Sequence, residues 1–324
     1  MIQFAKSVLE NGGKIKPLIV PAEHTNGTGT FNPTIYNHNG KLIGNIRHCQ
    51  VSLYHSELDK FHHDWGPLVY LHPENDQTLT TKNFYYELDK DLNISLVEKV
   101  DTSECDQKPL WEFIGQEDIR IAVWDNKLWY CGVRRDTTTN GQGRIELSEI
   151  VLENNKPKEV SRHRMPAPAP NDSYCEKNWM PVIDQPYSFV KWSNPTQVVK
   201  YDFDTKTTNE VFLGSYVPKS YDFRGGSQVI PWKNYYLSLT HITNLYRSET
   251  QKKNANYWHS FIVWDKNWNV VKYTDFFNFT GSKIEFACGM CEYENDILIT
   301  FGIQDNAAFL LQVPQNFLER FLDV

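Results

Sequence analysis

The sequence predicts an all-β chain folded as a five-bladed β-propeller, and three observations carry that expectation. Short segments rich in β-branched and aromatic residues dominate, turn-forming residues separate them, and a polar motif recurs five times along the 324 residues.

Helical periodicity is confined to the two ends, up to about Leu9 and from Phe317 to Leu322. Leu18-Ile19-Val20 is the candidate N-terminal strand, expected to close the ring by pairing with the last blade. Between the ends, Phe84–Leu88, Ile119–Trp124, Tyr235–Leu239 and Ile297–Phe301 have strand composition and are bounded by turn formers. Hairpin signals fall at Asn39-Gly40, Asp125-Asn126, Asn140-Gly141 and Glu294-Asn295-Asp296, where Asn, Asp and Gly tolerate the backbone that tight turns demand. The recurring motif lies near Asn32-Pro33, Glu117-Asp118, Lys177-Asn178, Gly225-Gly226 and Ile284-Glu285. Its spacing of roughly 50 to 85 residues suits one four-stranded blade with variable loops. Alternating prolines from Arg164 to Pro170 favour an extended linker, placed between the second and third blades inside one domain spanning residues 1–324.

Composition narrows the function classes. The net charge of −7 comes from acidic and basic residues mixed along the chain, which excludes the electrostatic footprint of a nucleic-acid or anionic-membrane binder. The N-terminus lacks the apolar run and cleavage site of a secretory signal, and no stretch is long enough to span a bilayer, so a cytoplasmic location is expected. The sequons at Asn26, Asn93, Asn171 and Asn278 then carry no meaning. The six cysteines are expected as reduced thiols, because a chain of this size can fold on its own core. Cys288 and Cys291 have metal-ligand spacing without a second pair to complete a tetrahedral site, and His62 and His63 beside Asp64 fit a solvated loop. No metal is expected.

The recurring motif carries the chemistry. Gly115-Gln116-Glu117-Asp118-Ile119-Arg120-Ile121 sets two carboxylates and a guanidinium just ahead of an apolar strand. Glu117 raises and Arg120 lowers a neighbouring carboxyl pKa, so this cluster can tune a proton donor; it can equally be a surface loop with local ion pairs. The other copies add Arg47 after Asn32-Pro33, Glu176-Lys177-Asn178-Trp179, Arg224-Gly225-Gly226-Ser227 followed by His241, and Glu285 followed by Asp305. Basic groups hold phosphate oxygens, while carboxylates hold sugar hydroxyls or move protons. A lone strand histidine such as His241 is more often a core or rim residue. A propeller would gather all five copies around one axial cleft.

In order and spacing, these motifs resemble those of glycoside hydrolase family 130. The match runs from Asn32-Pro33 with Asn39-Gly40 and Arg47, through Gly115-x-Glu117-Asp118-x-Arg120 with Tyr130 and Lys177-Asn178. It continues with Gly226 leading to His241 and Tyr257, then Gly289 leading to Gly302 and Asp305. That family contains β-mannoside phosphorylases and hydrolases, and its fold is similar to that of glycosyltransferase family 108. Ile119 stands where the family usually has Pro, and Glu176–Trp179 and Arg224–Ser227 look like a divergent branch.

The resemblance implies inverting glycosyl transfer, with Asp118 as the general acid kept protonated by desolvation beside Glu117. It implies phosphate held by Lys177 and His241, with Arg224 a further candidate from this chain's own motif. Asn32, Arg47, Glu117, Arg120, Asn178, Tyr257, Glu285 and Asp305 would bind substrate, and Tyr257, Trp179 and Trp111 are candidate stacking walls. No cofactor is expected beyond inorganic phosphate or a sugar nucleotide as co-substrate. The expected partners are an oligosaccharide or glycan acceptor and a sugar phosphate or nucleotide sugar. Hydrolysis on the same fold, with a carboxylate as base for water, and a non-catalytic lectin remain alternatives.

Overall fold

A computed structural model describes residues 2–50, 52–55, 68–71, 78–168, 173–216, 221–247 and 253–324. His62, His63, Asp64, Asn171 and the end of the proline-rich stretch at Ala169-Pro170 lie outside the described residues.

Each copy of the recurring motif opens the first strand of a different sheet. The first blade runs Thr30–His38, Lys41–Cys49, Leu79–Leu88 and Ile94–Lys99, with Phe113–Ile114 added in parallel beside Leu79–Leu88. The second runs Gln116–Trp124, Lys127–Arg134, Arg144–Glu153 and Lys156–Arg164, and the third Met180–Pro181, Ser188–Ser193, Thr196–Asp202 and Thr207–Leu213. The last blade contains Glu285–Tyr293, Asp296–Ile303 and Ala307–Pro314, and Lys14–Pro17 adds to it as the outer strand. These antiparallel paths give a propeller-like arrangement of four regular blades among the described residues.

The expected count of five is therefore corrected. The fourth motif copy opens a seven-stranded sheet in which Arg224–Gly225 and Ile230–Trp232 pair separately with the long strand Tyr235–Arg247. Between them the backbone leaves the ladder, with the N–H groups of Gly226 and Ser227 both donating to the Leu239 carbonyl at 3.0 and 3.2 Å. Ile2–Gln3, from the opposite end of the chain, joins this sheet in parallel with Phe277–Asn278.

The N-terminal strand closes the last blade four residues upstream of the expected position. Lys14 to Pro17 pair with Gln312 to Phe309, and the ladder ends where the Leu18 N–H donates to the Ala308 carbonyl at 2.8 Å. Helices Phe4–Glu10 and Gln315–Leu322 occupy the ends with helical periodicity. Phe4 stacks on Phe277 at 4.6 Å and meets Phe321 edge-on at 5.0 Å, so both helices bury their apolar faces against the seven-stranded sheet.

Tight hairpins form where local chemistry allows left-handed backbone. Asn39-Gly40 and Asp125-Asn126 have φ of 53°/90° and 52°/60°, and Glu294-Asn295 joins Tyr293 to Asp296. Asn140-Gly141 instead belongs to a longer loop before Arg144, where Gly141 faces the Trp111 indole so closely that a Cβ would collide with it. All six cysteines are free thiols.

Near the centre, the fully buried Gln228 ties several sheets together. Its amide nitrogen donates to Thr34 Oγ1, the Ile35 carbonyl and the Ile121 carbonyl at 3.2, 2.9 and 3.1 Å, and its oxygen accepts the Met290 N–H at 3.0 Å. One side chain from the seven-stranded sheet thereby bridges the first, second and last blades.

Candidate active site

The candidate acid is positioned by a backbone irregularity. The pairing of Gln116–Trp124 with Lys127–Arg134 shifts register between Glu117 and Arg120, and Asp118 within this bulge has φ of 51°. Asp tolerates that region better than most residues, and the bulge re-aims its side chain out of the ladder. An equivalent shift between Phe31 and Thr34 contains Asn32 at φ 46°, and Asn178 ahead of the third blade has φ of 61°.

Asp118 Oδ1 accepts hydrogen bonds from Asn32 Nδ2 and Arg47 Nη1, both at 2.8 Å. Arg47 also approaches Glu117 Oε2 at 3.3 Å, donates to Thr81 Oγ1 at 3.3 Å and lies 4.9 Å over the Phe31 ring. Burial pushes the Asp118 carboxyl up, but Arg47, Arg120, the Asn32 hydrogen bond and Lys177 outweigh it and hold the group below the ordinary range. This corrects the expected direction: Asp118 is held as a carboxylate. Asp305 is the carboxyl displaced upward, to about 6, by burial and then by Asp118 and Glu117, against the pull of Arg47.

Arg120 does not reach for substrate. It is buried, and its guanidinium donates to the Gly226 carbonyl at 2.7 Å, the Asp118 carbonyl at 2.6 Å and Asn178 Oδ1 at 3.3 Å, with the Phe286 ring 5.5 Å away. It is a brace joining the second and third blades to the seven-stranded sheet, and it engages the Asn178 side-chain oxygen as well. Glu285 is likewise consumed by structure: fully buried, it accepts from the backbone N–H groups of Phe279, Thr280 and Ser282 and from Thr280 Oγ1, at 2.6 to 3.0 Å. Its expected sugar contact is corrected accordingly. Trp179 is core, donating its indole N–H to Glu176 Oε2 at 3.1 Å, while Glu176 pairs with Lys191.

The anion side assembles from two motif copies. Arg224 pairs in register with His241, and Lys177 and Arg224 both bear electrostatically on the His241 ring. Lys177 is exposed and Arg224 half-exposed, its Nε 3.0 Å from Asp222. Burial first, then His259, Arg120, Arg224 and Lys177, drive the His241 pKa far down, so its imidazole is neutral. His241 stacks 5.8 Å from Tyr257, whose hydroxyl is pushed up to about 12 by burial and then by Asp305.

The site thus brings together Asn32, Arg47, Glu117, Asp118, Asp305, Tyr257, His241, Lys177 and Arg224, with Arg120 and Asn178 beneath. Sequence reasoning missed Thr81 and Phe31, which hold Arg47, and His259, the cross-strand partner of His241. Phe31 and His259 were findable as neighbours, in register, of residues already singled out; Thr81 has no such signal. Among the described residues, no cluster of His, Cys, Asp and Glu is arranged to hold a metal ion.

No family model matches the sequence, and no curated protein matches it significantly. Solved structures do match along nearly the whole chain. The β-1,2-mannobiose phosphorylase of Listeria innocua, in complex with β-1,2-mannobiose, is 14% identical over 95% of this chain and 96% of its own, with a TM-score of 0.56. A member of the GH130 family of mannoside phosphorylases, reported to contain glycoside hydrolases that target β-1,2-mannosidic linkages in Candida mannan, is 16% identical over 89% and 85%, at 0.59. The mannose phosphorylase of Leishmania mexicana, in complex with phosphate ion, is 11% identical over 97% and 93%, at 0.52. At these identities the likeness is one of fold, and the chain has the fold of glycoside hydrolase family 130 and its phosphorylase relatives.

Proposed function

We propose that the chain is an inverting glycoside phosphorylase acting on β-mannosides or similar β-glycosides. The observation that carries this reading is a gripped carboxylate, Asp118, felt by Lys177 of another motif copy, which together with Arg224 also bears on His241. A sugar bound between them has a proton donor on one side and an anion seat on the other. The match in fold to phosphorylases of β-1,2-mannobiose and of mannose supports the substrate class.

In the proposed reaction Asp118 gives a proton to the leaving glycosidic oxygen, directly or through a sugar hydroxyl, as the anomeric C–O bond breaks. A phosphate oxygen attacks the anomeric carbon from the opposite face, which inverts it and yields the sugar 1-phosphate. Asp118 is ionised without ligand because cations surround it. Phosphate seated on Lys177 and Arg224 offsets part of that positive field, so the carboxyl gains its proton as the co-substrate arrives. Neutral His241 can donate one N–H to the phosphate without adding charge. Asp305 holds a sugar hydroxyl.

The test is phosphate-dependent release of a sugar 1-phosphate from a panel of β-mannosides. Asp118→Asn is expected to lower turnover by about two to four powers of ten while retaining saccharide binding, because it keeps shape and hydrogen bonding but has no proton to transfer. Lys177→Ala is expected to raise the phosphate concentration needed for half-maximal rate far more than that of sugar. Phosphate-independent release of free sugar would replace this reading by hydrolysis. Saccharide binding unaltered in Asp118→Asn, with no transfer by the unchanged protein, would replace it by a lectin.

A further inference from the structure

Two adjoining cavities of about 300 and 490 Å³ flank the second blade, the first against the first blade and the second against the 104–110 connection, sharing Asp106, Gln107, Arg134 and Arg162 in their walls. Sites for small molecules usually fall within roughly 300–1,000 Å³. These cavities are distinct from the anion seat, since neither is lined by Asp118, Lys177, Arg224 or His241.

The arginines and buried carboxylates of the walls are already spent on one another, while Lys82 is half-buried and Lys99 and Lys108 are exposed. Arg134 Nε pairs with Asp136 at 2.7 Å, Arg162 Nε with Glu159 at 2.7 Å, and Arg164 Nη1 with Glu146 Oε1 at 3.0 Å. An anion entering would meet the carboxylates and a cation the guanidiniums, so neither gains a net partner. What remains open is hydrogen-bonding capacity. Tyr130 Oη on the first cavity, and Glu146 Oε2 and Thr137 Oγ1 on the second, are buried atoms with no hydrogen-bond partner among the described residues. Tyr130 and Glu146 are each only 1% exposed, and Arg162 Nε stands 4.0 Å from Glu146 Oε2. Native proteins rarely leave such groups unsatisfied.

A buried carboxyl oxygen and two hydroxyls, set among arginines and carboxylates that pair with one another, match a neutral ligand that carries several hydroxyls of its own. We infer that these two cavities form a second, non-catalytic binding site for a neutral sugar unit. This rests on the reading of the protein as one that handles glycosides. The site shares a wall with the candidate acid: Thr81 lines the first cavity while its hydroxyl accepts from Arg47, and Gly115-Gln116 line it immediately before Glu117-Asp118.

The test is an NMR titration of the full chain with mannose and with β-1,2-mannobiose, alongside thermal melting. The unchanged protein is expected to show two saturable sets of shifts. Tyr130→Phe and Thr137→Val each remove one hydroxyl at nearly constant shape, and each is expected to weaken only the second set by about two- to tenfold. Neither should lower Tm, because a hydroxyl without a partner contributes no bond to the ligand-free fold. Arg47→Ala should abolish the axial set and leave the other. A single set of shifts removed by Arg47→Ala alone would overturn the second site and leave the functional reading standing. A fall in Tm for Tyr130→Phe with unchanged titrations would overturn it too, by giving that hydroxyl a structural task. Absence of binding by either sugar would overturn both.

Discussion

Arg47 serves two carboxylates with one guanidinium, and the protonation of the cleft follows from that arrangement. Removing its charge in Arg47→Gln should let burial dominate at Asp118 and move that carboxyl upward, which a carbon-detected NMR titration of the side chain would register. An unmoved Asp118 would refute the electrostatic account. Asp305 supplies a second check. Its folded-state pKa, about 6, lies above the ordinary carboxyl value, so the folded chain holds this proton more tightly than the unfolded one. Its contribution to stability is therefore full below about pH 4 and is lost as pH rises through 6. Asp305→Asn should match the unchanged chain near pH 4 and exceed it at pH 7, by on the order of 1–2 kcal/mol, read from urea midpoints. Asp118 was legible as a candidate because two carboxylates and an arginine crowd one strand start. Its ionisation was not, since Arg47 comes from another strand and the sequence places only Glu117 and Arg120 beside it.

At the scale of strands and loops, chemistry confined to neighbours in sequence was readable and chemistry across the ring was not. Asn39-Gly40 and Asp125-Asn126 announce their turns because the conformation and the residues that tolerate it are the same few positions. Five motif copies imply five blades, but the pairing of Ile2–Gln3 with Phe277–Asn278 joins opposite ends of the chain, leaves no local signal, and makes the fourth sheet irregular. Glu285 was misplaced for another reason: anchoring a loop and holding a sugar call for the same carboxylate. The motif glycines make a sharper claim. A Cβ on Gly225 would be driven into the carbonyl of Asn178, a backbone group that cannot swing aside. Gly225→Ala should destabilise by about 1–3 kcal/mol and disturb Asn178, the Arg120 partner, with a lower urea midpoint as the readout.

For the molecule as a whole, Gln228 is the test of a shared centre. Replacing it by Leu keeps much of the volume but strips a donor and an acceptor from backbone groups in three blades, including Ile35, Ile121 and Met290. Buried groups left unpaired cost about 1–3 kcal/mol each, so Gln228→Leu should lower stability by at least about 2 kcal/mol. Independent melting of the N- and C-terminal halves in this variant would show that the amide had been holding them as one cooperative unit. Like this amide, Arg120 ties sheets together, from the second blade to the Gly226 carbonyl and Asn178. In the proposed phosphorolysis, donor glycan and phosphate would both bind on the face of the site that carries Asp118, Lys177 and Arg224. Entering from that one face, the first to bind would narrow the path of the second. Turnover should accordingly follow an ordered sequential scheme, with parallel-line kinetics ruled out and excess of the later-binding partner trapping a dead-end complex.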